Sequence, residues 1–173
     1  AAFRPYGYTN FYVELDGLLH AGENTVEVIA RNADQPNSRW YSGAGIYRPV
    51  KLWSSPKTYI PLNGVKIRTV STSPAVISVT VKTSVPGDAQ VEILDEGRPV
   101  AAAGSGSFQL EIPNGKLWSV EHPNLYTARV TFGEDADEET FGIRSLTWGN
   151  DGLKLNGERI ILRGACIHHD NGL

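Results

Sequence analysis

A chain of 173 residues with 40% hydrophobic content can hold one large core or two small ones. A formal charge of −3 and a pI near 5.8 exclude a dedicated nucleic-acid or membrane-surface binder, which needs a basic face. No apolar run reaches the roughly 18 residues of a membrane-spanning helix, and the single cysteine, Cys166, forbids an internal disulfide.

The chain begins Ala1-Ala2-Phe3-Arg4-Pro5, with neither an initiator Met nor a signal-peptide pattern. That start is expected of a piece cut from a longer polypeptide, and it leaves the compartment open between cytoplasm, periplasm and secretion. Glycine and proline punctuate segments of strand character, and helical periodicity is weak, which predicts an all-β fold. In residues 1–60 the pattern predicts strands at 11–15, 24–32 and 46–53, with a short turn at Leu15–Leu19. Val26, Val28 and Ala30 share one face of the second strand. Three strands cannot close a sandwich alone, so this region reads as the trailing part of a larger β domain.

Residues 61–144 have a different rhythm. Strand-like runs fall at 65–70, 75–83, 89–95, 98–103, 107–112, 125–132 and 138–144. Turn signals such as Glu96-Gly97 and Pro113-Asn114-Gly115 separate them. Short strands at this spacing predict an immunoglobulin-like sandwich without its disulfide. The acidic stretch Glu134–Glu139 is expected at a solvated hairpin tip. Trp118 reads as a cap on one end of the sandwich, and Tyr126 as an anchor that uses its hydroxyl. His122, before Pro123, reads as a loop residue.

Residues 145–173 open on a hairpin. Asn156-Gly157 lies between two apolar runs, and both residues tolerate the positive φ of a type I′ turn. Ile160–Ile167 then reads as a barrel-type strand ending in polar side chains, as barrel enzymes end theirs at the active site. With no packed partner after it in this chain, it is expected to be an unpaired apolar strand. Alternation places Gly164, Cys166, His168 and Asp170 on one face, and Ala165, Ile167 and His169 on the other. Residues of this kind serve a substrate rim, a zinc site through Cys166, His168 and Asp170, or simply a surface. A Cys–His nucleophile pair lacks a neighbouring oxyanion hole. The second constellation is Arg39-Trp40-Tyr41-Ser42-Gly43-Ala44-Gly45. Its aromatics either stack on a sugar or plug a domain seam.

Taken in order, these stretches resemble glycoside hydrolase family 2. They are Gly7-Tyr8-Thr9-Asn10-Phe11, Gly22–Val28, Trp40–Val50, Leu117–Tyr126, Phe141–Arg144 and Leu155–Gly164. The resemblance implies a partial jelly-roll sandwich over 1–60, an immunoglobulin-like sandwich over 61–144, and the first strand of a (β/α)8 barrel over 145–173. It implies retaining hydrolysis of terminal β-galactosides, the Cys166-x-His168-His169-Asp170 variant being most like the family's β-galactosidases. β-Glucuronidase and β-mannosidase are the alternatives within the family.

By the same resemblance, His168 matches a histidine beside the sugar. Asp170, His169, Asn10, Arg39 and Trp40 are further substrate-binding candidates. No cofactor or metal is implied, the partner is a carbohydrate, and homo-oligomerisation stays open. The family's catalytic glutamates, an acid/base and a nucleophile about 5–5.5 Å apart in retaining enzymes, are expected beyond Leu173, so the chain alone is expected to be inactive. Two rival readings are a stand-alone carbohydrate-binding or adhesion module and a purely structural sandwich.

Overall fold

The computed structural model describes residues 2–6, 9–31, 45–46, 48–104 and 107–166, with the backbone alone of Ser107. Every regular element among them is a β-strand. By its contacts the chain divides into two compact units between Lys51 and Leu52.

The second unit holds the sandwich. Its strands are β1 (Val65–Thr72), β2 (Ala75–Val81), β3 (Gln90–Asp95), β4 (Arg98–Gly104), β5 (Ser107–Glu111), β6 (Tyr126–Phe132) and β7 (Asp135–Phe141). They form two antiparallel sheets, β1-β2-β5 and β4-β3-β6-β7. Alternation decides which side chains enter the core. Ile77 and Val79 of β2 point in from one sheet; Val91 and Ile93 of β3, with Ala128 and Val130 of β6, point in from the other. The first six strands lie where the apolar alternation places them, within two residues at each end, and the seventh begins three residues earlier than expected.

Turn chemistry sets the register. Glu96 (φ 50) and Gly97 (φ 79) both take positive φ, so Asp95 pairs directly with Arg98 across a two-residue hairpin. The long connection from β5 to β6 is fixed by Tyr126. Its ring is buried and stacks on Phe141 at 5.7 Å, and its hydroxyl accepts the Lys116 N–H at 2.8 Å. This tyrosine corner is the arrangement expected at this position of an immunoglobulin-like fold. Lys116 also forms a 2.8 Å ion pair with Asp95, and that hydrogen bond raises the ammonium pKa above its usual value.

The acidic stretch departs from expectation. Only Gly133 and Glu134 turn, while Asp135–Phe141 is β7 itself. Its carboxylates have structural uses. Glu138 pairs with Arg129 of β6 at 2.8 Å, and Asp135 accepts the Ile60 N–H at 2.7 Å. Strand β7 ends its sheet, and a row of charges on an edge discourages pairing with another chain. Charge dominates the sequence pattern here and imitates a solvated tip, although alternate positions of β7 are half-buried.

The first unit differs more. The segments expected as strands at 11–15, 24–32 and 46–53 carry no ladder among their described residues. Val26, Val28 and Ile29 are exposed. A strand is made by pairing rather than by local preference, and these segments have no strand partner among the described residues. The turn at 15–18 does form, with the Leu18 N–H donating to Leu15 O at 3.0 Å and Gly17 at φ 72.

Tyr126→Phe keeps the ring stack but leaves the Lys116 N–H without its acceptor. Urea unfolding is expected to show a loss of about 1–3 kcal/mol, with the strand content unchanged by circular dichroism.

Candidate functional site

Beyond β7 the chain forms a meander of β8 (Leu146–Gly149), β9 (Gly152–Leu155) and β10 (Glu158–Arg159). Asn156 (φ 52) and Gly157 (φ 87) make the two-residue turn between β9 and β10, with Leu155 opposite Glu158. This is the turn that the Asn-Gly pair predicts.

The Asn156 side chain does more than turn the chain. Its Oδ1 accepts the Ser145 N–H at 3.0 Å, and its Nδ2 donates to Trp118 O at 3.0 Å. Its own N–H donates to Ser145 O at 2.9 Å. The Trp118 N–H in turn donates to Ile143 O at 2.8 Å, and Ile143 is fully buried in the sandwich core. The Arg144 guanidinium sits 4.7 Å from the centre of the Trp118 ring, a cation–π contact. Gly142 permits this packing, because a Cβ there would lie 2.8 Å from Cβ of Trp118. Trp118 thus caps the sandwich end as expected, and His122 lies exposed in the loop beside it.

Residues 160–166 come after the meander and carry no ladder, so the apolar run is unpaired, as expected, but is not a strand. Ile161 and Leu162 are 72% and 78% exposed. As in the first unit, an apolar pattern without a strand partner does not make a strand. Cys166 is a free, exposed thiol.

Of the six candidate substrate-binding residues, only Asn10 lies among the described residues. Its Oδ1 accepts a hydrogen bond from the Arg48 guanidinium at 3.3 Å, and both side chains are exposed. Two residues on, Tyr12 O accepts from Arg4, whose guanidinium also lies 5.9 Å from the Phe11 ring centre. Asn10 therefore belongs to a segment braced by two arginines. In the sequence Arg48 stands out only as a member of the Trp40–Val50 stretch, and 38 residues separate the pair.

Asn24, in the Gly22–Val28 stretch, closes its own loop by accepting from the His20 N–H and donating to His20 O and Gly22 O. Arg39, Trp40, His168, His169 and Asp170 lie outside the described residues, so the zinc alternative retains only Cys166 among them.

The sandwich strands coincide with a match to a family model, Glycosyl hydrolases family 2, over residues 64–144. Over 98% of its length the chain is 35% identical to a Formosa agariphila protein whose name marks it as a provisional β-glucuronidase. This chain belongs to glycosyl hydrolase family 2. It is also 33% identical, over 98% of its length, to the β-galactosidase BoGH2A of Bacteroides ovatus. It spans 18% of the first relative and 23% of the second. Among solved structures, a β-glucuronidase from Ruminococcus gnavus, in complex with C6-substituted uronic isofagomine, superposes with a TM-score of 0.55. That match has 26% identity and covers 63% of this chain and 20% of that one. These relatives are glycosidases by name, and the immunoglobulin-like fold reading agrees with the family.

Replacing the exposed apolar pair, Ile161→Ser with Leu162→Ser, is expected to lower self-association in light scattering. The urea midpoint of the sandwich should move by no more than about 0.5 kcal/mol equivalent.

Proposed function

We propose that this chain is the accessory portion of a retaining glycosidase that hydrolyses terminal β-galactosides. Residues 1–60 would end a jelly-roll sugar-binding domain, 61–144 would be the immunoglobulin-like brace, and 145–173 would open the catalytic barrel. The observation that carries the sugar preference is Cys166-x-His168-His169-Asp170, which resembles the β-galactosidases of the family, together with the similarity to BoGH2A.

In this reading His168 hydrogen-bonds a sugar hydroxyl beside the scissile bond, with His169 and Asp170 next to it. Asn10, which accepts a hydrogen bond from Arg48, and Arg39 and Trp40 are the further substrate-binding candidates of this reading. The two glutamates that protonate the leaving oxygen and attack the anomeric carbon belong to later barrel strands. No cofactor enters this chemistry. A second reading, β-glucuronide hydrolysis, is favoured by the names of the Formosa agariphila relative and the Ruminococcus gnavus enzyme.

The test compares the 173-residue chain with the full-length polypeptide that contains it, on aryl β-galactoside and aryl β-glucuronide. The full-length protein is expected to prefer the galactoside, while the chain alone turns over neither. His168→Ala in the full-length protein should lower kcat/KM on the order of 10²-fold, the scale of one lost transition-state hydrogen bond. Preference for the glucuronide would replace the galactoside reading. Turnover by the chain alone would overturn the accessory assignment.

A further inference from the structure

We infer that Asn156 is a positioning residue that locks the β8–β10 meander to the sandwich. Through it, the sandwich sets the direction in which residues 160–166 leave the domain.

The meander has little else to hold it. It shares no ladder with the sandwich strands. All four residues of β8, including Trp148 at 79% exposure, are exposed, and so are both residues of β10. Leu155 is its one buried side chain, and Leu155 is not part of the hydrophobic cluster that fills the sandwich. Beside buried Leu155 and the backbone bond from the Asn156 N–H to Ser145 O, the tie is made by one polar side chain. It runs from Asn156 Nδ2 to Trp118 O, from the Trp118 N–H to Ile143 O, and through Ile143 into the core. A second branch runs from Asn156 Oδ1 to the Ser145 N–H, next to Arg144, whose own N–H donates to Thr69 of β1 at 3.2 Å. One amide thus bridges the β5–β6 connection and the exit from β7.

The positive φ of Asn156 allows turn and tie to be separated. Glycine takes that φ without strain, so Asn156→Gly keeps the turn and removes only the bridge. Asparagine's near-isostere Asp also tolerates that φ, keeps the acceptor for Ser145 and loses the donor to Trp118 O.

Amide hydrogen exchange on the 173-residue chain tests the lock without any assay of sugar chemistry, so it stands apart from the glycosidase reading. In the unsubstituted chain, the hydrogen-bonded amides of β8 and β9 should exchange together with those of β6, as one cooperative unit. In Asn156→Gly, the Ser145 amide and those of β8 and β9 should exchange on the order of 10- to 100-fold faster, with β1–β7 unchanged. Asn156→Asp should restore protection to Ser145 but not the common exchange rate of β8, β9 and β6. Independent exchange of β8 and β9 in the unsubstituted chain, or no acceleration in Asn156→Gly, would overturn the proposal.

Discussion

Every strand in this protein exists because its backbone N–H and C=O groups meet a neighbour's. An unpaired backbone polar group buried away from water costs about as much as a lost hydrogen bond, so apolar alternation becomes a strand only where another strand lies beside it. Val26, Val28 and Ala30 share one face as the core residues of the sandwich do, yet they are exposed and carry no ladder. Val91 and Ile93 have β4 on one side and β6 on the other, and both are buried.

Within the sandwich, the polar contacts that matter sit at the ends of strands. Tyr126 ties the β5–β6 connection to the start of β6, and Asn124 reinforces it by donating to Leu117 O at 2.9 Å. Trp118, held between them and Arg144, then receives the Asn156 amide. The loop from Lys116 to Tyr126 thus has two roles: it closes the sandwich and it presents a carbonyl to the β9–β10 turn. Each role needs backbone atoms fixed in place, which Pro123 and the hydrogen bonds of the Ser119–His122 turn provide.

The fold was largely legible where strands are local in their signals. Two-residue turns at Glu96-Gly97 and Asn156-Gly157 declare themselves by residue type, and alternation in β2, β3 and β6 marks the faces that enter the core. The edge strand β7 was harder, because solvent and salt-bridge partners admit carboxylates that a periodicity argument reads as a tip. Tertiary roles of polar side chains were not legible. Nothing in the sequence near Asn156 announces Trp118, 38 residues earlier, as its partner, and nothing near Asn10 announces Arg48. Such contacts join segments distant in sequence and leave no period behind. Of the candidate sugar-binding residues, residue chemistry already marked Trp40 and His168, motif resemblance supplied Asn10 and the assignment to a sugar site, and only Asn10 falls where the structure describes its surroundings.

Asp135 carries a consequence of its own. It begins the exposed edge of the four-stranded sheet, where its charge helps keep other chains away, and its Oδ2 accepts the amide of Ile60, whose side chain reaches into the core. One carboxylate thus belongs to the charged edge of the sheet and also anchors the segment that leads into β1, so Asp135→Asn would remove a charge from that edge while keeping an acceptor for Ile60.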